Sequence, residues 1–343
     1  MNKYFEEVKK MINPAYMVGG SVRDEILGIE PHDYDFTTSL NPDQIEQAIR
    51  NEGKHPFLVG KKFGTIGVKV DGAMVEITTF RSEEYEKDNR KPKVTFVKDI
   101  TADLMRRDFT INAMAKRGDK IIDPFGGQED LKNKVIRAVG KPSARFKEDP
   151  LRMLRAIRFA AQFNFNIEEE TFESIVKNAS KILTVSRERW MIELNKILLT
   201  KDEFGLRHGL NYLGMSRLLN FMMPELSLQV GFDQKSEYHD FTLWEHTIEV
   251  VCATPPELNM RWAALLHDIA KPFVMTPNKK GYNNYIHHEE LGAEIVKKMA
   301  RYLNWDNDKK DAVYNLVKDH LKDDCPLRIY DNKAKKGKNE KAK

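Results

Sequence analysis

The 343 residues, 41% hydrophobic and 31% charged, have the composition of a water-facing globular protein and suffice for two or three domains. No run approaches the roughly 18 apolar residues of a membrane span, and the charged stretch Met1–Lys10 lacks the apolar core of a secretory signal. Two distant cysteines exclude a disulfide framework or a cysteine zinc site, and 56 basic against 52 acidic residues, a net charge of +4, permit nucleic-acid binding without requiring it. A cytoplasmic protein is expected.

The first third alternates short strands with turns and helices. Ala15–Val18 reads as a strand entering Gly19-Gly20, then Val22–Leu27 as a short helix closed by Gly28, and Tyr34–Thr38 as a second strand. Asn41-Pro42-Asp43 starts an amphipathic helix to Arg50, and Ile66–Val70 and Met74–Phe80 alternate around Asp71-Gly72 as a hairpin. The polar stretch Arg81–Val97, with Tyr85, Arg90, Lys91 and Pro92, reads as a loop. From Asp149 the spacing becomes helical: Leu151, Leu154, Ile157 and Phe159 form an apolar stripe, and Arg152, Arg155 and Arg158 lie on another face. Helices follow over Trp190–Leu199 and Leu206–Leu219. Pro224 and Gly231–Glu237 read as a linker before a third, helical segment from His239 to Leu321. The expected division is 1–140 (head), 141–230 (helical neck and body), 231–325 (a further helical domain) and 326–343 (a basic, disordered tail).

Asp33 and Asp35 are two apart at the start of a strand, so both carboxylates share one face and suit Mg²⁺. Gly19-Gly20-Ser21-Val22-Arg23-Asp24 puts a flexible backbone before a helix, a setting for phosphate. Arg145, Lys147, Arg152, Arg155 and Arg158 crowd one short basic stretch. Downstream stand Arg106-Arg107-Asp108-Phe109-Thr110-Ile111-Asn112-Ala113, then Asp123-Pro124-Phe125-Gly126-Gly127, then Glu148-Asp149-Pro150-Leu151-Arg152. Asp149 and Arg152, read as three apart on one helix, offer acceptors and a planar donor fork that can imitate the edge of a template base.

In this order the segments resemble the class II tRNA nucleotidyltransferases (CCA-adding enzymes) and bacterial poly(A) polymerases, over roughly residues 15 to 200. The resemblance implies an α+β, polymerase-β-like head followed by an all-α neck and body. It implies that Asp33 and Asp35 hold the catalytic Mg²⁺ and that Gly19, Gly20 and Arg23 bind phosphate. Arg107, Asp108 and Asn112 then meet the ribose, and Asp149 and Arg152 select CTP and then ATP for addition to tRNA. Arg155 and Arg158 reach triphosphate or RNA. Arg187, Glu188 and Arg189 resemble the segment that brace this helix. The loop after the hairpin is, in the relatives, involved in the switch from C to A addition. Glu76 is either a third carboxylate or a plain surface residue. Leu58-Val59-Gly60-Lys61-Lys62-Phe63 partly resembles a poly(A) polymerase stretch, but Gly67 and Val68 break the match, so CCA addition is favoured over poly(A), CC-only or A-only addition.

Trp262 to Pro272, containing His267-Asp268, resembles the signature of the HD phosphohydrolase domain. With His246 and His288 it implies a second metal site for Mn²⁺, Ni²⁺ or Zn²⁺ and a phosphodiesterase or phosphatase activity. His320 follows. No closing aspartate is evident, since Asp319, Asp323 and Asp324 match poorly.

Overall fold

The computed structural model describes residues 3–31, 33–84, 93–235 and 241–336. They fall into two compact units, 1–149 and 150–343.

The first unit begins with α1 (Lys3–Met11), whose Phe5, Val8 and Met11 recur on one buried face. Then come β1 (Tyr16–Val18), α2 (Gly20–Ile26), β2 (Tyr34–Thr38), α3 (Pro42–Asn51), β3 (Pro56–Phe57), β4 (Thr65–Val70) and β5 (Ala73–Thr79). β6 (Arg81–Glu84) and β7 (Lys93–Phe96) pair as an antiparallel ribbon where a loop is expected; Tyr85, Arg90, Lys91 and Pro92 lie outside the described residues. The unit continues through α4 (Ile100–Met105), β8 (Ala115–Arg117), β9 (Lys120–Ile122), α5 (Gly127–Lys132) and α6 (Pro142–Glu148).

Seven strands form one sheet in the order β3-β4-β5-β2-β1-β8-β9. β2 runs parallel to β5, which sets Asp35 opposite Glu76. The hairpin turns at Asp71 and Gly72, both with positive φ, as the two-residue turn demands. α3 starts with a capping box between Asn41 and Gln44, with Pro42 in the first turn, and buries Ile45 and Ile49. Each such side chain contributes about 1.5–3 kcal/mol of burial. The head thus has the α+β character its sequence implies.

The second unit is helical: α7 (Leu151–Phe163), α8 (Glu169–Asn178), α9 (Arg187–Leu198), α10 (Glu203–Met215), α11 (Leu218–Met222), α12 (Pro224–Ser227), α13 (Leu243–Ala253), α14 (Leu258–Leu266), α15 (Lys271–Val274), α16 (His288–Tyr302), α17 (Asn307–Asp319) and α18 (Pro326–Lys336). α7 and α10 meet closely because Gly209 faces Ala161; a Cβ there would stand 2.4 Å from that of Ala161. No described helix is long and apolar enough to cross a membrane.

Two boundaries and the tail can be compared with the expected division. Near 140, α6 packs with the first unit, where Arg145 donates to the Met105 carbonyl at the end of α4 (2.7 Å). On either side of 230 the helices are tied together, since the buried Arg261 donates to the carbonyls of Leu198, Thr200 (2.6 Å) and Thr254, and Trp262 Nε1 donates to Asn195 Oδ1 (2.9 Å). The tail expected from 326 begins with helix α18, which buries Leu327 and Asp331; residues 337–343 lie outside the described residues.

Candidate active site and metal centre

In the first unit the site forms where β1 turns into α2. Gly19 takes φ 72°, a backbone that glycine adopts freely. Its N–H donates to the Met114 carbonyl (3.3 Å). Ser21 Oγ accepts the Asp35 N–H (3.2 Å) and donates to the Asp33 carbonyl (3.2 Å), so one hydroxyl fastens the turn to both aspartates. Asp33 immediately precedes β2 and is exposed, while Asp35 lies on β2, partly buried. Burial raises the Asp35 carboxyl above its ordinary range; Arg107 counters this, and Glu76 and Asp33 push it further up. The three carboxylates lie near enough to influence one another, and oxygen donors of this kind suit a divalent cation. Glu76 is exposed and pairs in register with Asp35, a position that both readings of it allow.

A buried polar chain joins the glycine turn to the Arg-Asp-Phe-Thr-Ile-Asn segment. Arg23 Nε donates to Asp24 Oδ1 (2.8 Å), Arg23 Nη1 to Asn112 Oδ1 (2.7 Å), and Asn112 Nδ2 to Asp108 Oδ1 (3.1 Å). Arg107 lies over the turn: a Cβ on Gly19 would stand 2.7 Å from its Nη1, and one on Gly20 would stand 3.4 Å from Arg23 Nη2. Asp33, Asp35, Gly20, Arg23, Arg107, Asp108 and Asn112 are thus gathered in one place.

The basic stretch is not an exposed patch. Arg152 and Arg158 are buried, and Arg158 Nε pairs with Glu193 Oε2 of α9 (2.7 Å) while its guanidinium lies 3.9 Å from the Phe159 ring centroid. Arg155 is half-buried beside the same ring. Asp149 departs from expectation. It is extended (φ −141°, ψ 101°) and ends α6, because the following Pro150 disfavours helical backbone before it; Arg152 sits alone of the two in the first turn of α7. In the segment expected to brace α7, Arg187 stacks on Tyr302 at the end of α16 and Glu188 accepts from Asn304 just beyond it (2.7 Å), while Glu193 of the same helix, α9, pairs with Arg158 of α7.

The second unit places six metal-ligating side chains together. His246 comes from α13, His267 and Asp268 from the end of α14, His288 from α16, His320 from the end of α17 and Asp331 from α18. All are buried. Asp268 stands at the centre: its Oδ2 lies 3.0 Å from His267 Nε2 and 3.5 Å from His246 Nε2, its Oδ1 3.2 Å from His288 Nε2 and 3.7 Å from His320 Nε2. Asp331 Oδ1 is 3.1 Å from His246 Nε2. The Nδ1 atoms of His267, His288 and His320 meet the carbonyls of Ala264 (2.8 Å), Tyr285 (2.6 Å) and Val317 (2.7 Å). A carbonyl only accepts, so in the neutral rings the proton sits on Nδ1 and each Nε2 lone pair points inward. Nε2 atoms then face each other at 3.4 Å (His246–His267) and 3.3 Å (His288–His320). His246 Nε2 also lies 3.1 Å from Asp331 Oδ1, and although burial lowers the His267 imidazole, Asp268 beside it carries it above its ordinary range; the cluster could hold a metal ion. Burial would raise the Asp268 carboxyl, but His267 and Lys271 beside it hold it well below its ordinary range. Burial carries His320 down to about 4, keeping it neutral and able to ligate.

Comparison with known proteins gives three matches in chain order. Residues 15–137 match the Poly A polymerase head domain, 164–229 the "Probable RNA and SrmB-binding site of polymerase A", and 243–335 the HD domain. The chain thus carries, in this order, matches to a poly(A) polymerase head, an RNA-binding segment of polymerase A and an HD domain.

The CCA-adding enzyme of Staphylococcus aureus (strain MRSA252) is 44% identical over 210 residues, 61% of this chain and 51% of that protein. The chain therefore spans about half the length of the curated relatives it matches. The crystal structure of the Bacillus stearothermophilus CCA-adding enzyme in complex with CTP superposes with a TM-score of 0.64 at 26% identity, covering 98% of this chain and 82% of that one. A tRNA nucleotidyltransferase complexed with a primer tRNA and an incoming ATP analog gives 0.58 at 25% identity, covering 95% and 85%.

Sequence reasoning did not single out Asp331, which stands 3.1 Å from His246 Nε2, and left His320 without a role. The available signal was Leu327 and Asp331, four apart behind Pro326, which mark one face of a helix.

Proposed function

We propose that the chain adds CMP, CMP and AMP from CTP and ATP to the 3′ end of tRNA. The observation that carries this is the union, around one glycine turn, of Asp33, Asp35 and Glu76 with Arg23, Arg107, Asp108 and Asn112. Asp33 and Asp35 would hold Mg²⁺, which when bound lowers the pKa of the terminal 3′-hydroxyl and balances charge on the triphosphate. The bare backbone at Gly19 and Gly20 lets phosphate approach, with Arg107 beside it. Arg23 is locked by Asp24 and Asn112, so it presents its charge without reorganising. Asp108 and Asn112 supply an acceptor and an amide suited to ribose hydroxyls. Selection of the base is assigned to Asp149 and Arg152, with Asp149 at the mouth of α7 rather than on it. Arg155 remains a contact for triphosphate or RNA, and Arg158 acts as the link from α7 to α9.

Six converging ligands support a second, hydrolytic centre in the HD domain. His246, His267, Asp331 and Asp268 Oδ2 would hold one ion, and His288, His320 and Asp268 Oδ1 another. Imidazole-rich sets suit Mn²⁺, Ni²⁺ or Zn²⁺, and the chemistry supplied is hydrolysis of phosphoesters.

Incubation with tRNA lacking its CCA end, and with each nucleotide singly, tests the main reading. CTP alone should add two residues, and ATP should enter only after them. Long tails from ATP alone on arbitrary RNA would replace it with poly(A) synthesis.

A further inference from the structure

Asp103 carries no role in the site so far, yet it is a fully buried carboxylate one turn before Arg107. Burying a carboxylate is costly unless it is paired, and an apolar side chain would serve packing as well. Its two oxygens do different things. Oδ1 accepts from Arg106 Nε (2.9 Å) and from the N–H of Arg81 (3.3 Å), the first residue of β6. Arg106 Nη1 in turn donates to Glu83 Oε1 (3.0 Å), which also receives Arg81 Nε (3.0 Å). Oδ2 makes no hydrogen bond and faces Arg107 Nη2 at 3.6 Å; Arg107 Nε is likewise buried without a hydrogen-bond partner among the described residues. Arg107 is therefore held mainly by charge, between Asp103 on one side and Gly19 and Asp35 on the other.

We propose that Asp103 is a positioning residue for nucleotide addition, which fixes the Arg107 guanidinium over the glycine turn and ties that position, through Arg106 and Glu83, to the foot of the β6–β7 ribbon. This rests on the reading of the head as a nucleotidyltransferase. A long ion pair with no hydrogen bond gives Arg107 a charge anchor while leaving its donors for an incoming phosphate. The ribbon then shares one carboxylate with the reaction centre, so a change at Glu83 is felt at Arg107.

The test measures CTP addition to tRNA lacking its CCA end by the full chain and by Asp103→Asn, Glu83→Gln, Arg107→Lys and Asp103→Asn/Arg107→Lys. Asp103→Asn should lower kcat about 10- to 100-fold, as a misplaced group near the reacting atoms does, with the KM for tRNA unchanged. Adding Asp103→Asn to Arg107→Lys should cost little more than Arg107→Lys alone, because both act on one group. Glu83→Gln, which leaves the buried carboxylate in place, should lower kcat about 3- to 10-fold with the same split. Equal kcat in a folded Asp103→Asn or Glu83→Gln protein, or additive losses in the double variant, would overturn the proposal. Absence of CTP addition by the unaltered chain would instead overturn the reading it rests on.

Discussion

In the first unit three carboxylates lie on or beside two neighbouring inner strands of the sheet, β2 and β5, with Asp33 and Glu76 open to water. In the second, four histidines and two aspartates from five helices close on one another with almost no exposed surface. The open oxygen site suits an ion shared with an incoming triphosphate and released with product. The closed imidazole site suits a resident ion that helps hold its helices together. On the proposed reading, one chain would carry an exchanging centre and a fixed one.

The largest expected effect breaks the fixed centre. Asp268→Asn removes the carboxylate common to both ligand sets, and should weaken transition-metal binding at least about 100-fold. Metal content of the purified chain, by elemental analysis, checks it; Asp35→Asn should leave that content unchanged. Asp331→Ala removes one ligand and leaves His246, His267 and Asp268, so a loss of about 10- to 100-fold is expected in a chelator competition. An unchanged affinity would mean that α18 closes the site without ligating.

Metal removal sharpens the same contrast through stability. At 100 times its dissociation constant a ligand stabilises the folded state by about 2.7 kcal/mol. Stripping the HD centre should then lower the melting temperature of the 150–343 unit by about 5–10 °C. The first unit should be unmoved. The smallest effect concerns how the centre is mounted. Arg261→Ala should destabilise the second unit by about 2–3 kcal/mol, since it leaves carbonyls at the end of α9 without their charged donor. Calorimetry should still show one transition for that unit, because α9 and α14 stay tied through Trp262; two would mean that the segments on either side of 230 melt apart.

The two regions also differ in how far their sequence could be read. In the head, Gly19-Gly20, Asp33/Asp35 and Arg107-Asp108/Asn112 lie in short contiguous segments, each with its own turn or strand signal, and the folded unit brings them together. The HD ligands come from five helices spread over 86 positions from His246 to Asp331, and only His267-Asp268 announces itself locally. Asp331 was hidden by the lysines from Lys333 onward, whose composition reads as tail although Leu327 anchors the turn before it. Charge spacing alone does not tell exposure either: Arg145, Arg152 and Arg158 crowd one basic stretch, yet Arg145 donates to the Met105 carbonyl, Arg158 pairs with Glu193, and Arg152 is buried. The extended backbone of Asp149 is legible from Pro150, which disfavours helix at the residue before it.

The separateness of the two centres is tested most directly by a crossed assay. CTP addition to tRNA lacking its CCA end and metal-dependent hydrolysis of a phosphodiester are measured for the unaltered chain, Asp35→Ala and His267→Ala. Asp35→Ala should lose addition by at least about a thousand-fold and keep hydrolysis, while His267→Ala should do the reverse. Loss of both activities in His267→Ala, with the chain still folded, would contradict the account.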